Sequence, residues 1–132
     1  SRDEAIEVGK GRQIKDGKDT VVLSIGHIGN NVTEAIKDTD VAHYDMRVLK
    51  PIDTAILDEV GKNFSHVITV ENGVKEGVLG SAVLEYFADH GYTPRVTRLG
   101  MPTDSFVEHG TIRELQHICG IDPEGIKLMV NG

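Results

Sequence analysis

Thr20-Val21-Val22-Leu23-Ser24-Ile25-Gly26 is the stretch that decides the fold. A short, nearly continuous apolar run closed by glycine predicts a strand buried on both faces, as in a parallel sheet. Beyond Gly26 the chain alternates between helix and strand signals. Residues 32–36 predict a short helix and 41–46 a second strand. Asp53 is an N-cap for a helix over 54–63, whose Ala55, Ile56 and Val60, with Phe64 beyond, sit at helical spacing. Residues 66–70 predict a third strand. Residues 80–90 predict a helix with Val83, Leu84 and Phe87 on one face, ended by Gly91, and 95–99 a fourth strand. Thr111 with Glu114 has capping-box spacing, so a helix is expected over 111–119, stopped by Gly120; Asp122-Pro123 starts another through Met129. Strands alternating with helices predict a parallel sheet covered on both faces. Working back from Thr20, the polar residues 1–20 hold one short alternating stretch, 6–14, and a turn at 16–19, with 1–18 as the leading edge strand and turn. They are expected to form a hairpin-like first strand at a sheet edge.

The whole chain, 1–132, reads as a single domain, with no repeat and no linker that would split it. Its 14 Lys plus Arg face 21 Asp plus Glu, a net charge of -7. An acidic chain without a basic cluster argues against nucleic acid and anionic membranes as partners. One cysteine excludes an internal disulfide and fits a reducing, cytoplasmic setting. No apolar run approaches the roughly 20 residues of a membrane span, and no secretory leader is visible. Ser1-Arg2-Asp3 opens the sequence without Met, so an excised segment of a longer protein is expected.

Open parallel sheets gather function outside the carboxyl ends of their strands. Here those ends carry Gly26-His27, Asp45-Met46-Arg47, Glu71-Asn72-Gly73 and Gly100-Met101-Pro102. The turn over 26–31 could present amides to an anion, but it lacks a full dinucleotide fingerprint and reads equally as a plain strand-to-helix turn. In Asp45-Met-Arg47-Val-Leu-Lys50-Pro51-Ile-Asp53, Arg47 and Lys50 form either a ligand clamp or subunit contact, or a loop pinned by an ion pair from Arg47 to Asp45 or Glu71. Glu71 is either a catalytic carboxylate or an acceptor for the loop after it. Six histidines show no metal-ligand spacing; His109, His117 and Cys119 do not share one helix face well. Cys119 is expected as a buried thiol, and Ser24 lies within a strand rather than on a nucleophile elbow. Met46, Pro51, Met101, Pro102 and Phe106 are expected to expose an apolar patch beside these loops.

Five segments in register carry a family resemblance. Val8-Gly-Lys-Gly-Arg12 with Asp16-Gly17 and Ser24-Ile-Gly26 resembles the opening of the C-terminal domain of transketolase-like enzymes. Asp45-Met-Arg47-Val-Leu-Lys50-Pro51-Ile-Asp53 resembles its most distinctive motif, and Thr69-Val-Glu71-Asn72-Gly73 running to Gly80-Ser81-Ala-Val83 its next strand and helix. Leu99-Gly-Met-Pro102 to Phe106-Val-Glu-His-Gly110, and Cys119-Gly-Ile-Asp122-Pro-Glu-Gly125, are similar to the 1-deoxy-D-xylulose-5-phosphate synthase branch. The chain departs from the family pattern at Asn72, at Glu76-Gly77 and at Thr103-Asp104.

The resemblance implies a three-layer α/β/α domain. Its sheet would be mixed, mostly parallel and five-stranded, with the first strand antiparallel at an edge. It implies a cytoplasmic, homodimeric parent transferase that joins pyruvate to glyceraldehyde 3-phosphate with loss of carbon dioxide, for isoprenoid and thiamine precursors. Thiamine diphosphate and Mg2+ would be held by domains absent from this chain, so no catalytic, cofactor or metal residue carries over. Partners would be the parent's remaining domains and its second subunit. Asp45, Arg47, Lys50, Asp53, Glu71 and His109 become candidates for interdomain contact or loop anchoring. Two alternatives remain at this point: a docking module of a dehydrogenase-complex subunit, and a free-standing small-ligand binder using the Gly26 and Arg47 loops.

Overall fold

The computed structural model describes residues 11–47, 52–71, 78–100 and 123–131. In chain order these form β1 (Arg12–Lys15), β2 (Lys18–Ile25), a 3-10 turn (Gly26–Ile28), α1 (Gly29–Ile36), β3 (Val41–Asp45), α2 (Thr54–Asn63), β4 (His66–Glu71), α3 (Val78–His90), β5 (Arg95–Gly100) and α4 (Pro123–Asn131). One five-stranded sheet runs in the order β1-β3-β2-β4-β5. β2, β3, β4 and β5 are parallel, and β1 pairs antiparallel with β3 at the edge. The mixed sheet with an antiparallel edge strand is therefore as expected. The helix expected over 111–119 lies outside the described residues.

β2 is the centre because its sequence suits only the centre. Val21, Val22, Leu23 and Ser24 are all fully buried. Alternate residues feed two separate cores. Val21 and Leu23 join Ala42, Tyr44, Met46 and Val67 under α2 and α3, which add Leu57, Val60, Leu79 and Val83. Val22 joins Val41, Ile68 and Val70 under α1 and α4, which add Val32, Ile36 and Ile126. At period two a one-residue slip would exchange these cores, so burial on both faces fixes the register.

The first strand is not half of a hairpin. β3 lies between β1 and β2, so the chain at Asp16-Gly17 crosses the entrance of β3. The Lys18 amide donates to the Asp40 carbonyl at 2.7 Å. Gly17 is required for this crossing, because a Cβ there would run into the Asp40 carbonyl and the Ala42 amide. α1 also starts three residues before the expected helix. Gly29, Asn30 and Asn31 are weak helix formers, and burial of Ile28 and Val32 overrides that preference.

Asp53 performs its expected cap and a second task. Its Oδ1 accepts from the Ile56 amide at 3.3 Å, while Oδ2 accepts from the Gly11 amide at 2.8 Å. Gly11 can come this close because it lacks a Cβ, which would lie 2.5 Å from Ile56 Cδ1. On the same face, Tyr86 and Tyr92 each donate to Asp58 Oδ1 at 2.8 Å, which ties α2 to α3 and holds the Asp58 carboxyl below its usual range. Replacing Asp53 by Ala removes the cap and strands a part-buried amide. A loss of about 1–3 kcal/mol is expected in urea unfolding, with less than half of it in Asp53→Asn, which keeps an acceptor oxygen.

Candidate functional site

β2 and β4 are neighbours, yet their connections leave in opposite directions, β2 toward β3 and β4 toward β5. Their carboxyl ends therefore flank the crevice where open α/β sheets usually bind ligands. Glu71 ends β4 at this crevice and is buried. Its Oε1 accepts from the Leu79 amide at 3.0 Å and its Oε2 from the Gly80 amide at 3.1 Å. A carboxylate on the first turn of a helix satisfies orphan amides and complements the helix dipole. Of its two readings, the structure supports the acceptor: both oxygens are committed to α3.

Asp45 and Arg47 form a compact turn at the end of β3. Asp45 Oδ1 accepts from the Arg47 backbone amide at 2.9 Å. Arg47 adopts φ +68°, the left-handed region that L side chains seldom occupy, and it is exposed. Met46 between them is fully buried in the α2/α3 core, and its amide donates to the Ser24 carbonyl at 2.8 Å. The apolar patch expected at Met46 is thus core, because Met46 continues the inward face of Ala42 and Tyr44 at period two. Of the two carboxylates expected to pair with the Arg47 guanidinium, Asp45 holds the Arg47 backbone amide through Oδ1 and Glu71 holds α3 through both oxygens. Glu71 also lies two strand spacings from β3, roughly 10 Å. Gly11 draws Asp53 and Asp45 together, since its amide reaches Asp53 and a Cβ on it would lie 2.8 Å from the Asp45 carbonyl. Lys50 and His109 lie outside the described residues, as do Pro51, Met101, Pro102, Phe106 and Cys119.

The sequence reading missed a buried pair. Ser24 Oγ and His43 Nε2 are 2.7 Å apart beneath the start of α1, where a Cβ on Gly29 would lie 3.2 Å from Ser24 Oγ. The signal was present: each is a polar residue inside an apolar strand, and such residues demand partners. Burial lowers the His43 pKa from 6.5 to about 4, against an opposing pull from Asp45. The imidazole is therefore neutral near pH 7, and its Nδ1 has no partner. Ser24 is fully buried and no carboxylate accepts from His43 Nδ1, so Ser24, His43 and Asp45 do not form a hydrogen-bonded triad.

Layer order, the edge strand and the strand-end motifs together define an α/β domain of the transketolase type. The profile described as "Transketolase, C-terminal domain" matches residues 9–126, and the chain belongs to that family. It is 52% identical over 129 residues to the 1-deoxy-D-xylulose-5-phosphate synthase of Bacteroides thetaiotaomicron, covering 93% of this chain and 20% of that protein. Identity to the synthase of Syntrophotalea carbinolica is 39% over 135 residues, covering 96% and 21%. A solved structure titled "Split gene transketolase, inactive beta4 tetramer" matches with a TM-score of 0.84 at 31% identity, covering 99% of this chain and 44% of that one. The chain spans about a fifth of the length of the curated relatives it matches.

Among the described residues no group of three or more His, Cys, Asp and Glu is placed to hold a metal ion. The carboxylates at the strand ends already accept backbone amides. No helix among the described residues is long and apolar enough to cross a membrane.

The buried Glu71 and His43 each set a stability outcome. Glu71→Ala strands two buried amides and is expected to cost about 2–4 kcal/mol in denaturant unfolding, with Glu71→Gln intermediate because one oxygen remains. For His43, the folded pKa of about 4 lies below the unfolded 6.5. Above 6.5 both states are neutral; between 6.5 and 4 the unfolded chain takes a proton that the folded one refuses, so stability falls as pH falls. Across that window the wild type is expected to lose about 3 kcal/mol relative to His43→Leu. Parallel stability curves would place His43 in contact with solvent.

Proposed function

We propose that this chain is the C-terminal domain of a 1-deoxy-D-xylulose-5-phosphate synthase. The parent joins pyruvate to glyceraldehyde 3-phosphate with loss of carbon dioxide. Thiamine diphosphate supplies the carbanion chemistry, and with Mg2+ it is held by the other domains. This domain has no active site of its own; it supports packing against those domains and the second subunit of a cytoplasmic homodimer. Relatives at 39–52% identity bearing that name support the parent assignment. One observation carries the structural role: the carboxylates at the sheet's carboxyl edge hold the chain's own amides, while Arg47, in a left-handed turn, keeps an exposed side chain. Such an arginine suits a carboxylate on a neighbouring domain.

The test uses two preparations. The 132-residue chain, given pyruvate, thiamine diphosphate and Mg2+, should release no carbon dioxide above blank; turnover would refute the reading. Arg47→Gly suits the left-handed backbone, so the isolated chain should keep its stability or gain up to about 1 kcal/mol. In the full-length protein the same change should raise the dimer dissociation constant several-fold. An unchanged constant would assign Arg47 to solvent.

A further inference from the structure

The two edges of the sheet are built differently. β1 is short, and its register with β3 shifts between Gln13 and Lys15, an irregularity that spoils an edge for further pairing. β5 is six residues long and pairs with β4 one to one, from Arg95 opposite His66 to Gly100 opposite Glu71, with no shift and no proline. Among the described residues it has no strand on its other side. Charged side chains often guard such an edge. Here both arginines of β5 are drawn inward. Arg95 donates from Nη2 to His66 Nδ1 on β4 at 3.2 Å. The stem of Arg98 lies over Gly80 of α3, where a Cβ would stand 2.3 Å from Arg98 Cδ.

The same flank carries an apolar helix face. α3 packs over β4 and β5. One side of α3 is tied to α2, through the bond from Tyr86 to Asp58. The other side carries Gly80, against Arg98, then one turn on Leu84, which is 41% exposed, and the exposed Ala88 beyond it. An open strand edge and an exposed leucine therefore sit side by side. A foreign extended segment would pair with the strand and leave Leu84 in water, whereas a second copy of this chain supplies both surfaces. A two-fold axis normal to the sheet at Thr97 sets β5 antiparallel to β5 of the other copy. Thr97 then opposes Thr97, Val96 opposes Arg98 and Arg95 opposes Leu99. No arginine meets an arginine, and a threonine pair is favourable in such a ladder. With strands about 4.8 Å apart and α3 seated over β4 and β5, the two copies of α3 lie roughly 10 Å apart, an ordinary packing distance. One helical turn, about 6 Å, brings Leu84 from the level of Arg98 to that of Val96, beside the axis.

We propose that β5 is an interface between two copies of this chain, joined edge to edge into one continuous sheet, with Leu84 of each α3 packed against the other. The interface belongs to this chain by itself and does not rest on the parent's reaction.

Sedimentation equilibrium of the 132-residue chain tests it. The chain should be dimeric at millimolar concentration and dissociate on dilution. Leu84→Arg, at an exposed position, should raise the dissociation constant about tenfold or more, with no loss of urea stability at dilutions where the wild type is monomeric. Thr97→Cys in a Cys119→Ser background sets two thiols across the axis on Cα atoms roughly 4.5–5.5 Å apart, so mild oxidation should link the dimer. Ile14→Cys, on the opposite edge in the same background, should stay unlinked. The inference is overturned if the wild type remains monomeric at millimolar concentration, if Leu84→Arg dimerises as tightly as the wild type, or if Thr97→Cys links no faster than Ile14→Cys.

Discussion

Glu71 grips the first turn of α3 with both carboxylate oxygens, and the carboxyl edge of the sheet is organised by repeating that interaction. Asp53 holds the start of α2 and the amide that leads into β1. Asp45 holds the turn that carries Arg47. In each case an acidic side chain at a strand end or helix start accepts a backbone N–H that would otherwise lack a partner. Three carboxylates thus accept backbone amides at the end of the sheet where many α/β enzymes keep their reacting groups. A carboxylate that accepts two buried amides is poorly suited to act as a general base.

The elements legible in the sequence were those whose signals are local. α2 was read to the residue because Asp53 caps it and its apolar positions keep a helical period through Val60. The central strand was legible because four successive residues of β2 are buried on both faces. The edge strand's pairing was not legible. A polar stretch running into Asp-Gly carries a hairpin signal, whereas insertion of β3 between β1 and β2 is a non-local event. Only Gly17, at the point of crossing, hints at it. The start of α1 was hidden for a related reason: Gly29-Asn30-Asn31 has low helix propensity, and tertiary burial of Ile28 and Val32 outweighs it.

Of the candidate site, the residue types were legible and their partners were not. Asp45 and Glu71 lie at the strand ends and Asp53 at the helix N-cap as read, but the sequence could not say which backbone amides each would accept. Met46 continues the period-two face of Ala42 and Tyr44 beyond the end of β3, so the strand expected over 41–46 already pointed it inward. Ser24 and His43 were detectable as polar interruptions of apolar strands, yet their closeness depends on which face of β2 and β3 each occupies.

The central claim, that the strand-end carboxylates belong to the fold, is tested most directly by amide hydrogen exchange at Leu79 and Gly80 in the 132-residue chain. Both amides should be strongly protected, and their rates should not change on adding thiamine diphosphate, Mg2+ and pyruvate. Fast exchange at these two positions, or a change in their rates when pyruvate is added, would show that Glu71 is free to engage a ligand and would contradict the account.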